Sequence, residues 1–206
     1  MSLIKSLVNS YPLGLPRFYV YLRTRILPLA QIERILPQSG LFLDIGCGYG
    51  IASLYFATTS KTRIVKAIEI NPKRIEIARS TSKDISNLHF DVDNLANHQH
   101  GHYDVVTIID LLHHLSKKQK NRLLRQSSIL LKHRGLLIIK EINTTPLLKY
   151  LWNYAHDYLF TLGGKLEFKG VEETIKLLKE HNFKLVGYHS LESYFYPHIL
   201  YVFQKK

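Results

Sequence analysis

The ten residues Leu41-Phe42-Leu43-Asp44-Ile45-Gly46-Cys47-Gly48-Tyr49-Gly50 constrain this chain more than any other stretch. An apolar run ends in an acid and breaks into alternating glycines, and a helix-forming stretch starts at Ile51. This reads as a buried strand over Leu41–Ile45 that feeds a tight turn and a helix. At such a junction backbone N–H groups meet a ligand's polar end. Glycine lets the backbone come close, since a Cβ would collide or forbid the required φ. Asp44 adds a carboxylate suited to a cationic amino group. An ordinary tight turn is the plainer account of glycines alone, and the strand and acid before them favour the ligand site. The spacing is Gly-x-Gly-x-Gly, whereas a nicotinamide or flavin site wants Gly-x-Gly-x-x-Gly/Ala. Counting from Gly46 the last position is Ile51, and counting from Gly48 it is Ser53, so neither fits.

A chain of 206 residues is long enough for one domain with a sizeable core. Cys47 is the single cysteine, which excludes an internal disulfide and a cysteine-rich zinc site. It reads as a small packed residue between two glycines. Lys and Arg number 28 against 16 Asp and Glu, a formal charge of +12 that favours anionic partners or, more simply, a solvated basic surface. No run of 18 apolar residues predicts a transmembrane helix. Lys5, Asn9, Pro12 and Pro16 break the early apolar runs that a signal peptide would need. A cytoplasmic location is the expectation, with peripheral membrane contact left open.

Residues 1–40 read as a helical preface cut by Pro12, Pro16, Pro28 and Pro37. Phe18, Leu22, Ile26 and Leu29 share one helical stripe, with Arg25 at its border. Packing on the domain is the favoured account of this stripe, ahead of a membrane-surface helix or a cover over a ligand pocket. From residue 41 to 206 strands and helices alternate as a second domain. Strands are predicted at Ile64–Ile70, Leu88–Phe90, Asp104–Ile109, Leu136–Ile139, Lys184–Tyr188 and Ile199–Phe203. Helices are predicted at Pro72–Ser80, capped by Asn71, at Lys117–Leu131, capped by Ser116, and at Glu172–Glu180, and Gly135 marks a turn. This alternation predicts an α/β domain with a mostly parallel sheet covered on both faces.

Glu69 ends the second strand, where a carboxylate can accept hydrogen bonds from both hydroxyls of a ribose. Together with Asp44-x-Gly46-x-Gly48-x-Gly50, this resembles the class I S-adenosylmethionine (SAM)-dependent methyltransferases. Tyr103-Asp104-Val105-Val106 and the following Asp110-Leu111-Leu112-His113-His114 resemble that family's fourth motif, and the resemblance spans residues 41–142. It implies a Rossmann-like fold with a seven-stranded, mostly parallel sheet. It also implies a cofactor site made by Asp44, Gly46, Cys47, Gly48, Gly50, Glu69, Ile70, Asp91, Val92 and Asp110. There Asp91 meets the adenine amino group, the N–H of Val92 meets the ring, and the product is S-adenosylhomocysteine.

Methyl transfer needs an acceptor held in line with the methyl group and kept from water. A hydroxyl acceptor also needs its proton removed, and imidazole suits that role. His113 and His114 are the positional candidates, against a plainer role as wall residues. The helical insertion at about 143–170 places Trp152, Tyr154, His156 and Asp157 where related folds build acceptor pockets. Its apolar stripe includes Leu147, Leu148 and Leu151 and reads in large part as packed core. The histidines near Asn97-His98-Gln99-His100-Gly101-His102 lack an accompanying cysteine or acid pair and read as an exposed loop, with no metal expected. The leading expectation is methylation of a small or lipid-like molecule. The basic charge keeps an RNA or DNA substrate as an alternative, although Asp110-Leu111-Leu112-His113 departs from the N/D-P-P-Y/F pattern of amino-methylating nucleic-acid enzymes. A non-catalytic SAM-binding subunit is the third reading, and oligomeric state is not legible.

Overall fold

The computed structural model describes residues 3–95, 100–151, 169–191 and 196–206. The seven strands follow the order β3-β2-β1-β4-β5-β7-β6, and the chain divides into two compact units, Met1–His98 and Gln99–Lys206. The preface falls in the first of these units together with the first three strands.

In the first unit β1 (Gly40–Ile45), β2 (Arg63–Glu69) and β3 (Leu88–Val92) are parallel, with Ile45 opposite Ile68 and Glu69 opposite Val92. Helix α4 (Ile51–Thr59) buries Ile51 through Ala57 in succession, so it is a core helix with no polar face to spare. Helix α5 (Pro72–Thr81) starts as expected: the Asn71 side chain accepts the N–H groups of Lys73 and Arg74 at 3.0 and 3.4 Å, and Pro72 takes the first turn. The Asn87 amide donates to the carbonyls of Ala57, Ser60 and Arg63, which ties the end of α4 to the start of β2.

The preface forms α1 (Leu3–Ser10), α2 (Leu15–Ile26) and α3 (Leu29–Glu33). The expected stripe packs only in part. Helix α2 buries Val20, Leu22 and Ile26 are half-buried, Leu29 is buried, and Phe18 faces solvent. Arg63, fully buried at the start of β2, anchors the preface. Its guanidinium donates to the Glu33 carboxylate at 2.7 Å, to the Pro37 carbonyl at 2.7 Å and to the Phe56 carbonyl at 3.2 Å.

In the second unit β4 (Tyr103–Ile109) pairs in parallel with β5 (Leu131–Ile142). Antiparallel to β5 runs β7 (His198–Lys205), and antiparallel to β7 runs the half-exposed edge strand β6 (Phe183–Leu191). Helix α6 (Lys117–Leu130) opens with a reciprocal cap between Ser116 and Gln119, and α7 (Val171–Lys179) precedes β6. The turn expected at Gly135 is a bulge inside β5: the register steps from Tyr103 opposite Leu131 to Val105 opposite Leu136. A Cβ on Gly135 would lie 3.0 Å from the Lys132 carbonyl oxygen, which is why glycine stands there. No helix among the described residues is long and apolar enough to cross a membrane.

Removing Glu33 strands a buried guanidinium. Glu33→Ala is expected to cost about 3 kcal/mol in urea unfolding, because a buried ion loses its partner. A loss below about 0.5 kcal/mol would show that the backbone carbonyls alone suffice for Arg63.

Candidate functional site

Strand β1 delivers Asp44 and Ile45 into the glycine turn, and all three glycines have left-handed backbone, with φ of 74°, 59° and 79° at Gly46, Gly48 and Gly50. They do different work. The N–H groups of Gly46 and Cys47 both donate to the Ile68 carbonyl, at 2.8 and 3.0 Å, so the turn is stitched to β2. Gly50 starts α4, and a Cβ there would sit 2.5 Å from the Phe90 ring. A Cβ on Gly48 would meet nothing within 4 Å. Gly50 is therefore a packing glycine, while Gly48 borders open space that a ligand can use.

The Glu69 carboxylate organises this edge. One oxygen accepts the Gly48 N–H at 3.1 Å, the other accepts the Asn71 N–H at 3.1 Å, and the Arg74 guanidinium stands 3.8 Å away. Each carboxylate oxygen has two lone pairs, so these bonds leave capacity for ribose hydroxyls. Ile70 and Val92, at the tips of β2 and β3, are 73% and 48% exposed and offer apolar surface beside it. Asp44 is buried, and one of its oxygens accepts the Ser53 hydroxyl at 2.5 Å, fixing the first turn of α4 to β1. Burial, with the nearby Asp44 and Glu69 charges, pushes the Cys47 thiol well above its ordinary pKa, which suits a packed residue and not a nucleophile.

Asp91 is at the end of β3. It pairs with Ile68 in the β2–β3 register, one residue out of phase with Glu69. It bonds Arg79 at 3.1 Å and lines a shallow groove with Lys66, Ser82 and His89. Asp93 stands closer to the Glu69 tip, since its N–H donates to the Glu69 carbonyl at 3.3 Å.

In the second unit, the short turn Leu112–His114 after β4 leaves His113 3% exposed and His114 facing solvent, with the two ring centroids 4.0 Å apart. Glu141, near the end of β5, accepts from His113 Nδ1 at 2.5 Å and from the Leu112 N–H at 2.8 Å. Sequence reasoning gave Glu141 no role. The signal was present in Leu136-Leu137-Ile138-Ile139-Lys140-Glu141-Ile142, because two charges inside an apolar strand require buried partners. Lys140 finds its own in Asp110, at 2.5 Å, while the Asp110 N–H donates to the Lys140 carbonyl at 2.9 Å. Asp110 is left-handed, with φ of 50°, a conformation that Asp tolerates better than most residues. Leu147, Leu148 and Leu151, expected in a largely packed stripe, are exposed, and the remainder of that stripe lies outside the described residues. Trp152, Tyr154, His156 and Asp157 lie outside the described residues, as do Asn97, His98 and Gln99.

A strand–glycine turn–helix with an acid at the next strand tip, on a seven-stranded sheet whose β5, β7 and β6 run antiparallel in that order, defines the class I methyltransferase fold. Residues 43–137 match the model of a family described as a methyltransferase domain, and the fold is that of the class I SAM-dependent methyltransferases. A ubiquinone biosynthesis O-methyltransferase from Xanthomonas axonopodis pv. citri is 32% identical over 118 residues, which cover 55% of this chain and 47% of that protein. The chain thus spans about half the length of the curated relatives it matches. Among solved structures, a SAM-dependent methyltransferase from Methanosarcina mazei superposes with a TM-score of 0.68 at 23% identity, covering 87% of this chain and 98% of that one. The magnesium protoporphyrin IX methyltransferase of Synechocystis PCC 6803, solved with bound S-adenosylhomocysteine, gives 0.64 at 20% identity over 86% and 80%.

The two glycines are separable by mutation. Gly50→Ala is expected to lose about 2–3 kcal/mol in chemical unfolding, from the Phe90 collision added to left-handed strain. Gly48→Ala meets no neighbour and is expected to cost about 1 kcal/mol. Equal losses would refute the division between a packing glycine and a ligand-facing one.

Proposed function

We propose that this chain transfers the methyl group of SAM to an oxygen on a small, apolar acceptor. On the cofactor side, the residues present fit the group. The open space at Gly48 admits its polar end, Glu69 accepts the ribose hydroxyls, and Ile70 and Val92 flank the adenine. Asp93 is the better candidate than Asp91 for the adenine amino group, because its backbone is bonded to the Glu69 tip. Asp44 acts mainly by holding the turn in place through Ser53. Bound there, SAM would supply a methyl carbon to the acceptor oxygen, with S-adenosylhomocysteine leaving as the neutral thioether.

The observation that carries the oxygen acceptor is the His113–Glu141 pair. A carboxylate can only accept, so Glu141 holds a proton on Nδ1, and in the neutral ring Nε2 is then the nitrogen that can act as a base. Glu141 is a positioning residue and His113 the group that takes the hydroxyl proton. The relatives named as ubiquinone biosynthesis O-methyltransferases support oxygen as the acceptor atom, and the exposed Leu147, Leu148 and Leu151 support an apolar one.

Incubating the chain with methyl-labelled SAM and fractionated cell extract tests this reading. Label is expected in the organic-soluble small-molecule fraction, in an alkali-stable ether. Label confined to RNA would overturn it in favour of a nucleic-acid substrate. Glu141→Gln keeps an oxygen acceptor for the Leu112 N–H while removing the charge beside His113. It is expected to lower turnover by about tenfold or more with SAM affinity unchanged. Turnover equal to the parent would remove the pair from the chemistry.

A further inference from the structure

Helices α1 and α2 form a hairpin with a fixed inner side and an unusual outer tip. On the inside, Leu7, Val8 and Tyr11 are buried, and the Tyr11 hydroxyl donates to the Tyr49 carbonyl of the glycine turn at 2.8 Å. The Tyr19 ring tilts against Tyr49 at 5.2 Å between centroids. The hairpin is therefore held on the unit, and its tip is presented outward on a braced base.

That tip is Pro12-Leu13-Gly14-Leu15-Pro16. Leu13 is 82% exposed, Leu15 84% and Phe18 58%, and Leu15 and Phe18 share one helix face three residues apart. Water gains nothing from ordering large apolar side chains at a turn, so three within six positions mark a contact surface. The two helices carry Lys5, Arg17, Arg23 and Arg25, and no Asp or Glu precedes Glu33. Arg17 donates to the carbonyls of Asn9, at 2.9 Å, and Tyr11, which fixes its charge at the base of the turn. Arg25 lies over the half-exposed Tyr21 ring at 5.1 Å from its centroid. Tyr19 and Tyr21 are each 43% exposed, amphipathic rings on the helix that carries Leu15 and Phe18.

We propose that this hairpin docks the chain on an anionic lipid bilayer, with Leu13, Leu15 and Phe18 in the acyl boundary and the basic side chains among the headgroups. Exposed apolar residues combined with amphipathic tyrosines and an acid-free basic stretch are the composition that a bilayer interface accepts. A second copy of the chain would set its own cations against these, and a nucleic acid would leave the leucines in water. The docking rests on this hairpin alone and holds for any methyl acceptor.

Co-sedimentation of the full chain with vesicles tests it. Binding is expected to vesicles of phosphatidylcholine with about one-third phosphatidylglycerol and to be lost on phosphatidylcholine alone. The triple variant Leu13→Ser, Leu15→Ser, Phe18→Ser, with an unchanged circular dichroism melt, is expected to partition about tenfold less onto the anionic vesicles. Arg23→Gln with Arg25→Gln, which keeps the apolar tip, is expected to weaken binding on the same vesicles. Equal partitioning of the folded triple variant and the parent would overturn the proposal, because it would leave only the general +12 charge as the cause. A concentration-dependent dimer in sedimentation velocity that the triple substitution dissolves would also overturn it, with a second copy as the occupant.

Discussion

The Glu69 carboxylate joins three elements at one point. It takes the Gly48 N–H from the glycine turn and the Asn71 N–H at the start of α5, and its own backbone carbonyl takes the Asp93 N–H past β3. A carboxylate at a strand tip would repel an anionic ligand, so its presence selects ligands that offer hydroxyls there. The same group pre-sets the turn that such a ligand needs. Holding the turn before the ligand arrives lowers the ordering cost of binding.

The second unit uses buried charge in a similar way. Lys140 and Glu141 are neighbours on β5 and therefore point to opposite faces, one to Asp110 and the other to His113 and the Leu112 N–H. Both partners lie just beyond the end of β4. A parallel pair of strands is thus locked at its tip by two charged contacts in addition to the ladder. Removing either partner would leave a desolvated charge, a cost that holds the tip in one arrangement. That fixed geometry is what proton transfer at His113 would require.

Much of this was legible in the sequence where local chemistry decides the outcome. The β1 run, the left-handed glycines, the Asn71-Pro72 start of α5 and the Ser116 cap of α6 each follow from residues within a few positions of one another. The rest depended on contacts made at long range. Phe18 and Leu147 carry the periodicity of a packed face, but periodicity does not say whether a partner element covers that face, and both are exposed. Asp91 sits at a strand end as expected, yet the register aligns it with Ile68 and gives it to Arg79, which no local spacing reveals. Glu141 and His113 are 28 positions apart, and only the β4–β5 pairing brings them together.

Isothermal titration of the folded chain with S-adenosylhomocysteine, and of Glu69→Ala beside it, tests the central claim most directly. The account predicts one-to-one binding by the parent and a loss of about 1–3 kcal/mol in the variant, roughly a 5- to 150-fold weaker dissociation constant, since the ribose hydroxyls lose their acceptor. Heat with NAD and none with S-adenosylhomocysteine or SAM would contradict it, as would an unchanged affinity in a folded Glu69→Ala protein.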